Sequence, residues 1–451
     1  MSELGFTIEI HQNEYLPDCG RDVNAIITVT SYPLPRPAEL SAPLPPQAYV
    51  PPVAPRPLAV PPADSAQIVI IDCSGSMNMP ATKMSAVLRA ANAAVNMIPD
   101  GVEFALIAGN GRALPLYPED GTLAIASPTT RVAAKKAVIH LKAAGGTAIG
   151  QWLRLAGYIF ASTSAELRHA ILLTDGKNEH EAPAELDAAL GLCAGAFTCD
   201  CRGIGTDWEV AELRQIATAL LGTVDIVPDP RDLESDFEAM MESATRKRIA
   251  DVALRIWTPE HTDIRFVRKV APFIEDLTGR RTESGPQTGD YPIGAWGTGE
   301  ARDYHLRVRV PAGAVGQEML AARVRLSLNS AAERREVSEG LVRAVWTADK
   351  ELFAAVNHQV AHYSSQVELA HVIGEGLAAR RQGDEVVTMA KLGRAVALAE
   401  QSGNEDTARL LARVVDVLDA PTGTVRLKKT VERVDEMTLD TRSTKTVRVR
   451  K

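Results

Sequence analysis

Gln67-Ile68-Val69-Ile70-Ile71-Asp72-Cys73-Ser74-Gly75-Ser76-Met77 decides the reading of this chain. Gln67–Asp72 is a short apolar run, the pattern of a parallel strand buried on both faces. It stops at a carboxylate and turns into a loop with two serines and a glycine. In an open α/β sheet, ligands bind at the carboxyl ends of the strands, and this loop occupies that place. Asp72, Ser74 and Ser76 alternate, so all three side chains can turn to one side. The set is small, hard and oxygen-only, which suits Mg²⁺ or Mn²⁺. One carboxylate among neutral hydroxyls leaves such an ion under-neutralised and in need of an anionic ligand. Hydroxyls with few carboxylates favour Mg²⁺ over Ca²⁺.

The surrounding segment, 64–246, alternates short apolar runs with helical periodicity, which implies a mostly parallel, doubly wound sheet covered on both faces. Lys83–Ile98, Arg131–Leu141, Ala148–Phe160, Pro183–Cys193, Val210–Leu220 and Asp232–Ala244 read as helices. Glu103–Ala108, Arg168–Thr174, Thr198–Ile204 and Thr223–Val227 read as strands. Two further pieces fall at the same sheet edge. Gly145-Gly146-Thr147 is a glycine-rich loop opening a helix, and Thr174-Asp175-Gly176 puts a carboxylate directly after a buried strand.

At these residues the chain resembles the von Willebrand factor A family. That family's metal-ion-dependent adhesion site is D-x-S-x-S, a Thr on a second loop and an Asp on a third. Here these positions are Asp72, Ser74, Ser76, Thr147 and Asp175, in the family's order. The resemblance implies that the two Ser and the Thr ligate a metal directly, and that the Asp residues act directly or through water. It also implies that a carboxylate of a protein partner completes the shell. Family members that serve AAA+ ATPases as accessory subunits of remodelling or metal-insertion machines supply an alternative role. An extracellular adhesion role is a further rival.

Arrangements for catalysis are weaker. No G-x-S-x-G surrounds Ser74 or Ser76, and no P-loop motif is present. His169 begins a buried strand and reads as a packed core residue. His358 and His362 stand four apart, but HQVAH lacks the Glu of H-E-x-x-H and reads as solvated helix surface. The expectation is a non-enzymatic interaction protein.

The flanks have their own character. Residues 1–32 alternate as two strands around a PDCGRD turn cluster, too few to stand alone as a domain. Residues 33–63 are a proline-rich spacer, with 12 of the chain's 27 prolines between Pro33 and Pro62. Residues 247–347 return to period-two runs, clearest at Tyr304–Val310, and imply an antiparallel β-sandwich. The N-terminal strands are its expected partners, so the α/β domain is an insertion into a β domain. Sandwiches built from both sides of such a domain recur in the family, as in inter-α-trypsin-inhibitor-like chains. Residues 348–420 form a helical module broken at Gly383-Asp384 and Gly403-Asn404. Residues 421–451 carry nine Lys/Arg against four Asp/Glu and read as an edge strand or a disordered tail. Four Thr and one Ser between Thr438 and Thr446 also suit a kinase or a phosphothreonine-reading partner.

Composition bounds the function. In 451 residues, 45% are hydrophobic and 24% charged, with a net charge of −8. A mildly acidic chain lacks the basic footprint of a nucleic-acid binder, and 5% aromatics provide no stacking platform. No apolar run reaches the roughly 18–20 residues a membrane helix needs. Glu3 and Glu9 stand where a signal peptide would be basic or apolar. Five cysteines, Cys193, Cys199 and Cys201 among them, fit neither a disulfide framework nor paired zinc spacing. These features predict a cytoplasmic protein. The Ala- and Arg-rich composition points to a bacterial, actinobacterial source.

Overall fold

The computed structural model describes residues 4–34, 65–79, 82–329 and 334–448. From position 35 onward the proline-rich spacer lies outside the described residues. The first strands are β1 (Leu4–Asn13), β2 (Tyr15–Leu16) and β3 (Asp22–Pro33), with β1 and β3 an antiparallel hairpin.

An α/β unit follows: β4 (Ser65–Asp72), α1 (Thr82–Met97), β5 (Glu103–Gly109), β6 (Ala113–Tyr117), β7 (Ala124–Ile125), α2 (Pro128–Ile139) and α3 (Ile149–Phe160). It continues with β8 (Leu167–Thr174), α4 (Pro183–Cys193), β9 (Thr198–Ile204), α5 (Val210–Ala219), β10 (Val224–Val227) and α6 (Leu233–Thr245). The strand order is β10-β9-β8-β4-β5-β6, with β7 also on β5. All pairings from β10 to β5 are parallel, while β6 and β7 add antiparallel edges to β5. Ile68 and Ile70 of β4 enter one core with α3, α4 and α5, while Val69 and Ile71 enter the other with α1, α2 and α6. Burial on both faces is why the run is continuously apolar. The chain leaves β4 towards β5 on one side and later returns to β8 on the other. The carboxyl end of β4 is therefore the topological switch point, where such sheets bind ligands.

The remaining strands are β11 (Lys247–Trp257), β12 (Asp263–Ala271), β13 (Glu275–Asp276), β14 (Thr282–Gly285), β15 (Thr288–Gly297), β16 (Ala301–Arg309), β17 (Glu318–Asn329) and β18 (Arg334–Trp346). They form two sheets, β1-β3-β16-β12-β13 and β14-β15-β11-β17-β18-β2. One core between them takes Tyr304, Leu306 and Val308 of β16 together with Ala25, Ile27 and Val29 of β3. The N-terminal strands thus find their partners nearly 300 residues away, with β3 on β16, and the α/β unit is inserted into a β-sandwich.

The C-terminal module comprises α7 (Lys350–Ala354), α8 (His358–Arg381), α9 (Glu385–Gln401), α10 (Glu405–Val414), β19 (Val415–Asp419), β20 (Thr424–Leu427) and α11 (Arg433–Arg442). Gly383 and Gly403 take positive φ, 77° and 63°, after α8 and α9. Asp384 and Asn404 then cap α9 and α10, accepting from Val387 N at 3.0 Å and Thr407 N at 3.1 Å. The glycine-acid and glycine-amide pairs are stop and start signals in succession.

The reading of 421–451 needs correction. Through residue 448 it is not a free tail, and only Thr424–Leu427 of it is a strand: β20 pairs with β19, and α11 packs on the α/β unit and α8. Arg442 and Lys445 both reach Asp225 on β10, at 2.9 and 2.6 Å. Thr438 and Thr441 are buried, and the Thr438 hydroxyl donates to Val434 O at 2.6 Å. A phospho-acceptor role for these two threonines has no support in this packing. The helix was obscured in sequence because two of its four buried residues are threonines.

Candidate metal centre

Asp72 ends β4 fully buried, and both its oxygens are engaged. Oδ1 accepts Ser74 N at 2.7 Å, and Oδ2 accepts the Thr174 hydroxyl at 2.5 Å. Burial pushes its pKa up to about 6; the bonds from Ser74 and Thr174 oppose this, and the charge of Asp175 adds to it. Such a carboxyl favours a nearby cation. Ser74 precedes a short 3-10 turn, Gly75–Asn78, which turns Ser76 back beside it. The two hydroxyl oxygens lie 2.9 Å apart, and Ser76 Oγ donates to Asp175 Oδ1 at 2.6 Å.

Three loops are strapped together by backbone bonds. Gly75 N donates to Gly145 O at 2.9 Å, and Ala144 N to Cys73 O at 2.8 Å. His180 N donates to Thr147 O at 3.0 Å, while Thr147 N donates to His180 Nδ1 at 3.1 Å. The third loop also caps α3: Asn178 Oδ1 accepts Ile149 N at 2.8 Å and Glu181 Oε1 accepts Gly150 N at 2.6 Å. Gly146 is required here, since a Cβ would stand 2.2 Å from the His180 ring.

All five residues singled out in sequence meet at one point. A Cβ placed on Gly176 would lie 3.0 Å from Thr147 Oγ1, 3.4 Å from Ser76 Oγ and 3.8 Å from Asp72 Oδ2. The donor set is three hydroxyls and two carboxylates, all oxygen, which fits a hard divalent cation. Among the described residues, no group of three or more His, Cys, Asp or Glu could hold a metal.

Sequence reasoning missed Lys83, Thr174 and His180. Lys83 Nζ lies 2.8 Å from Asp175 Oδ2 and 3.0 Å from Asp207 Oδ2. Burial opposes its charge, but the bonds to Asp175 and Asp207 outweigh this and raise its pKa. A lysine in the first turn of a helix, against the macrodipole, was the available signal.

The other groups considered lie elsewhere. His169 is not simply packed core: it pairs with Asp200 at 2.9 Å, near the opposite, amino end of the sheet. His362 Nε2 contacts Val447 O at 2.7 Å, and His358 is exposed. Cys73 is buried against Gly109, and burial pushes its thiol up to about 11, leaving it unreactive.

The family model of the von Willebrand factor type A domain matches residues 66–226, and that of the von Willebrand factor type A C-terminal domain matches residues 397–443. A solved structure, the von Willebrand factor type A protein from Catenulispora acidiphila, is 45% identical, with 99% of this chain and 98% of that chain covered at a TM-score of 0.90. The chain belongs to the von Willebrand factor type A family. Its A domain is the inserted α/β unit, and the matched C-terminal region spans the end of α9 through α11. The crystal structure of the ArnB paralog VWA2 from Sulfolobus acidocaldarius shares the fold at 14% identity, with 96% and 97% coverage and a TM-score of 0.54. The uncharacterized protein sll0103 of Synechocystis sp. is 28% identical over 219 residues. The chain spans about half the length of that curated relative, 49% of it.

Proposed function

We propose that the A domain is a docking module that uses a divalent cation, Mg²⁺ or Mn²⁺, to capture an acidic side chain of a protein partner. The convergence of Ser76, Thr147 and Asp72 oxygens around Gly176 carries this reading. Ser74, Ser76 and Thr147 would hold the ion through hydroxyls, with Asp72 and Asp175 acting directly or through water. A bound ion supplies a coordination position for an anionic ligand. The chain's own residues do the rest. Backbone straps hold the three loops in register, and Thr174 and Ser74 N fix the Asp72 carboxylate. Gly75, Gly145 and Met79, the last 75% exposed, leave the rim open to a partner.

The chemistry is binding rather than catalysis. The Ser76 hydroxyl is committed to Asp175, and the imidazole nearest the loops, His180, accepts from a backbone N–H instead of a serine. Four of the five cysteines are buried free thiols, which suits a reducing, cytoplasmic setting. No helix among the described residues is long and apolar enough to cross a membrane.

The test is affinity capture from the native host with Mg²⁺ and with EDTA, using wild type and Asp72→Ala. Partners held by wild type in Mg²⁺ should be lost in EDTA and in the variant, whose circular dichroism stays native. A partner set indifferent to both changes refutes the mechanism. Recovery of an AAA+ ATPase among metal-dependent partners would assign the module as its accessory subunit.

A further inference from the structure

We infer that Lys83 sets the charge of this centre so that a bound divalent cation remains under-neutralised until a carboxylate arrives from the partner. The inference rests on the metal-docking reading above.

Lys83 goes against its helix and sits where a lysine needs a partner. It is a cation in the first turn of α1, where the helix macrodipole disfavours positive charge. It is also 5% exposed, and lysine is almost never so buried unless paired. Its stem passes close to Gly205, directly after β9, where a Cβ would lie 3.4 Å from Lys83 Cε. The ammonium then bridges the ends of two strands through Asp175 and Asp207. A broken local rule of this kind marks a site where tertiary function has overridden propensity.

The two partners differ in environment. The Asp207 side chain is 58% exposed, so water screens its charge only in part. The Asp175 side chain is fully buried, and both its oxygens are claimed, Oδ1 by Ser76 and Oδ2 by Lys83. Lys83 therefore holds this carboxylate in one orientation and offsets its charge in a poorly solvated place.

The formal charges give the consequence. Among the buried groups, Asp72 and Asp175 contribute two negative charges and Lys83 one positive; Asp207, exposed and partly screened, weakens the Lys83 charge without cancelling it. A divalent cation among them retains one positive charge, the amount a single partner carboxylate cancels. Without Lys83 the two carboxylates would neutralise the ion alone. Lys83 thus weakens the hold on free metal and makes metal and carboxylate bind cooperatively, each raising the affinity of the other.

The experiment is calorimetric titration of Mn²⁺ into the full chain at pH 7.5, with and without acetate as the carboxylate probe. Lys83→Met should bind Mn²⁺ roughly tenfold tighter than wild type in the absence of acetate, the effect of removing one nearby charge in a partly desolvated site. The enhancement by acetate seen in wild type should shrink in that variant, and Lys83→Arg should behave as wild type. Asp207→Asn leaves every candidate metal-holding residue in place and makes the site more positive, so it should weaken Mn²⁺ binding. That second variant keeps the test alive if Lys83→Met fails to fold. Wild-type binding that Lys83→Met leaves unchanged or weakens, or that Asp207→Asn fails to weaken, overturns the role of Lys83 and spares the docking reading. No Mn²⁺ binding by wild type overturns both.

Discussion

A carboxylate kept as dry as Asp72 has to be fixed by its neighbours, and Thr174 and Ser74 N take one oxygen each. The alternation in Asp72, Ser74 and Ser76 showed that their side chains share one side of a loop. Nothing in that spacing showed Thr174 as a support or Lys83 as a counter-charge, because Thr174 reaches Asp72 from β8 and Lys83 reaches Asp175 from α1. His305 shows how burial turns into pH dependence. It is buried under Phe266, with ring centroids 4.9 Å apart, and touches Asn24 Oδ1 at 3.2 Å. Burial first, then Arg268 and Arg307, lower its pKa from 6.5 to about 4. The unfolded chain takes up this proton near pH 6.5, whereas the folded chain resists it down to about pH 4. Stability from His305 is therefore full above pH 6.5 and is lost as pH falls towards 4, by up to about 3 kcal/mol. Urea midpoints across that range should fall less steeply for His305→Gln than for wild type; parallel slopes would remove His305 as a cause.

At the scale of elements, the site depends on three loops behaving as one body. Trp152 of α3 is fully buried, packs over Gly109 where a Cβ would lie 2.4 Å from its ring, and donates to Asn110 O at 2.7 Å. That contact seats the start of α3, and with it Thr147, against the end of β5. The C-terminal helix α11 is a second case of an element placed by its contacts. Met437 and Leu439 are buried, and Arg380 and Arg381 of α8 hold Glu436 and Asp440 at 2.5 and 3.0 Å. Thr438 is also buried, so Thr438→Glu places a charge where almost no solvent reaches it. It should lower stability by about 2 kcal/mol or more, read as a shift in urea midpoint. An unchanged midpoint would mean that α11 is undocked in solution.

On the scale of the whole molecule, three regions are joined at Asp303. This buried residue of β16 accepts the Thr28 hydroxyl at 2.8 Å and the hydroxyl of Tyr363 on α8. It also takes a bidentate pair from Arg448 at 2.9 and 2.7 Å. Ile274 N donates to Thr444 O at 2.8 Å, so the C-terminal segment crosses from the A domain to the sandwich. Asp303→Ala leaves Tyr363 and Arg448 without their acceptor and should cost about 2–3 kcal/mol. Hydrogen exchange should quicken in α8 and in residues 443–448 while the A-domain strands keep their protection. Uniform protection throughout would show that the joint is not local. Away from the candidate metal centre, the A domain faces the sandwich across a crevice of about 800 Å³, bordered by His169, Asp200 and Arg202 on one side and Lys269, Glu275 and Arg302 on the other.

The sequence by itself determined the parallel strands and the helices of the A domain, though not its antiparallel edges β6 and β7, and the five oxygen-bearing residues of its candidate centre. Each is written in local pattern: continuous apolar runs for strands buried on both faces, helical spacing between them, and polar loops at the strand ends. The breaks at Gly383 and Gly403 were legible for the same reason, since a positive φ and a following cap are local demands. Tertiary structure alone decided that Lys83 enters the centre, that Thr174 steadies Asp72, which strand of the sandwich β3 joins, and that 433–442 forms a docked helix. These outcomes depend on groups brought together from distant positions, where an ion pair or a buried threonine leaves no periodic trace in the chain.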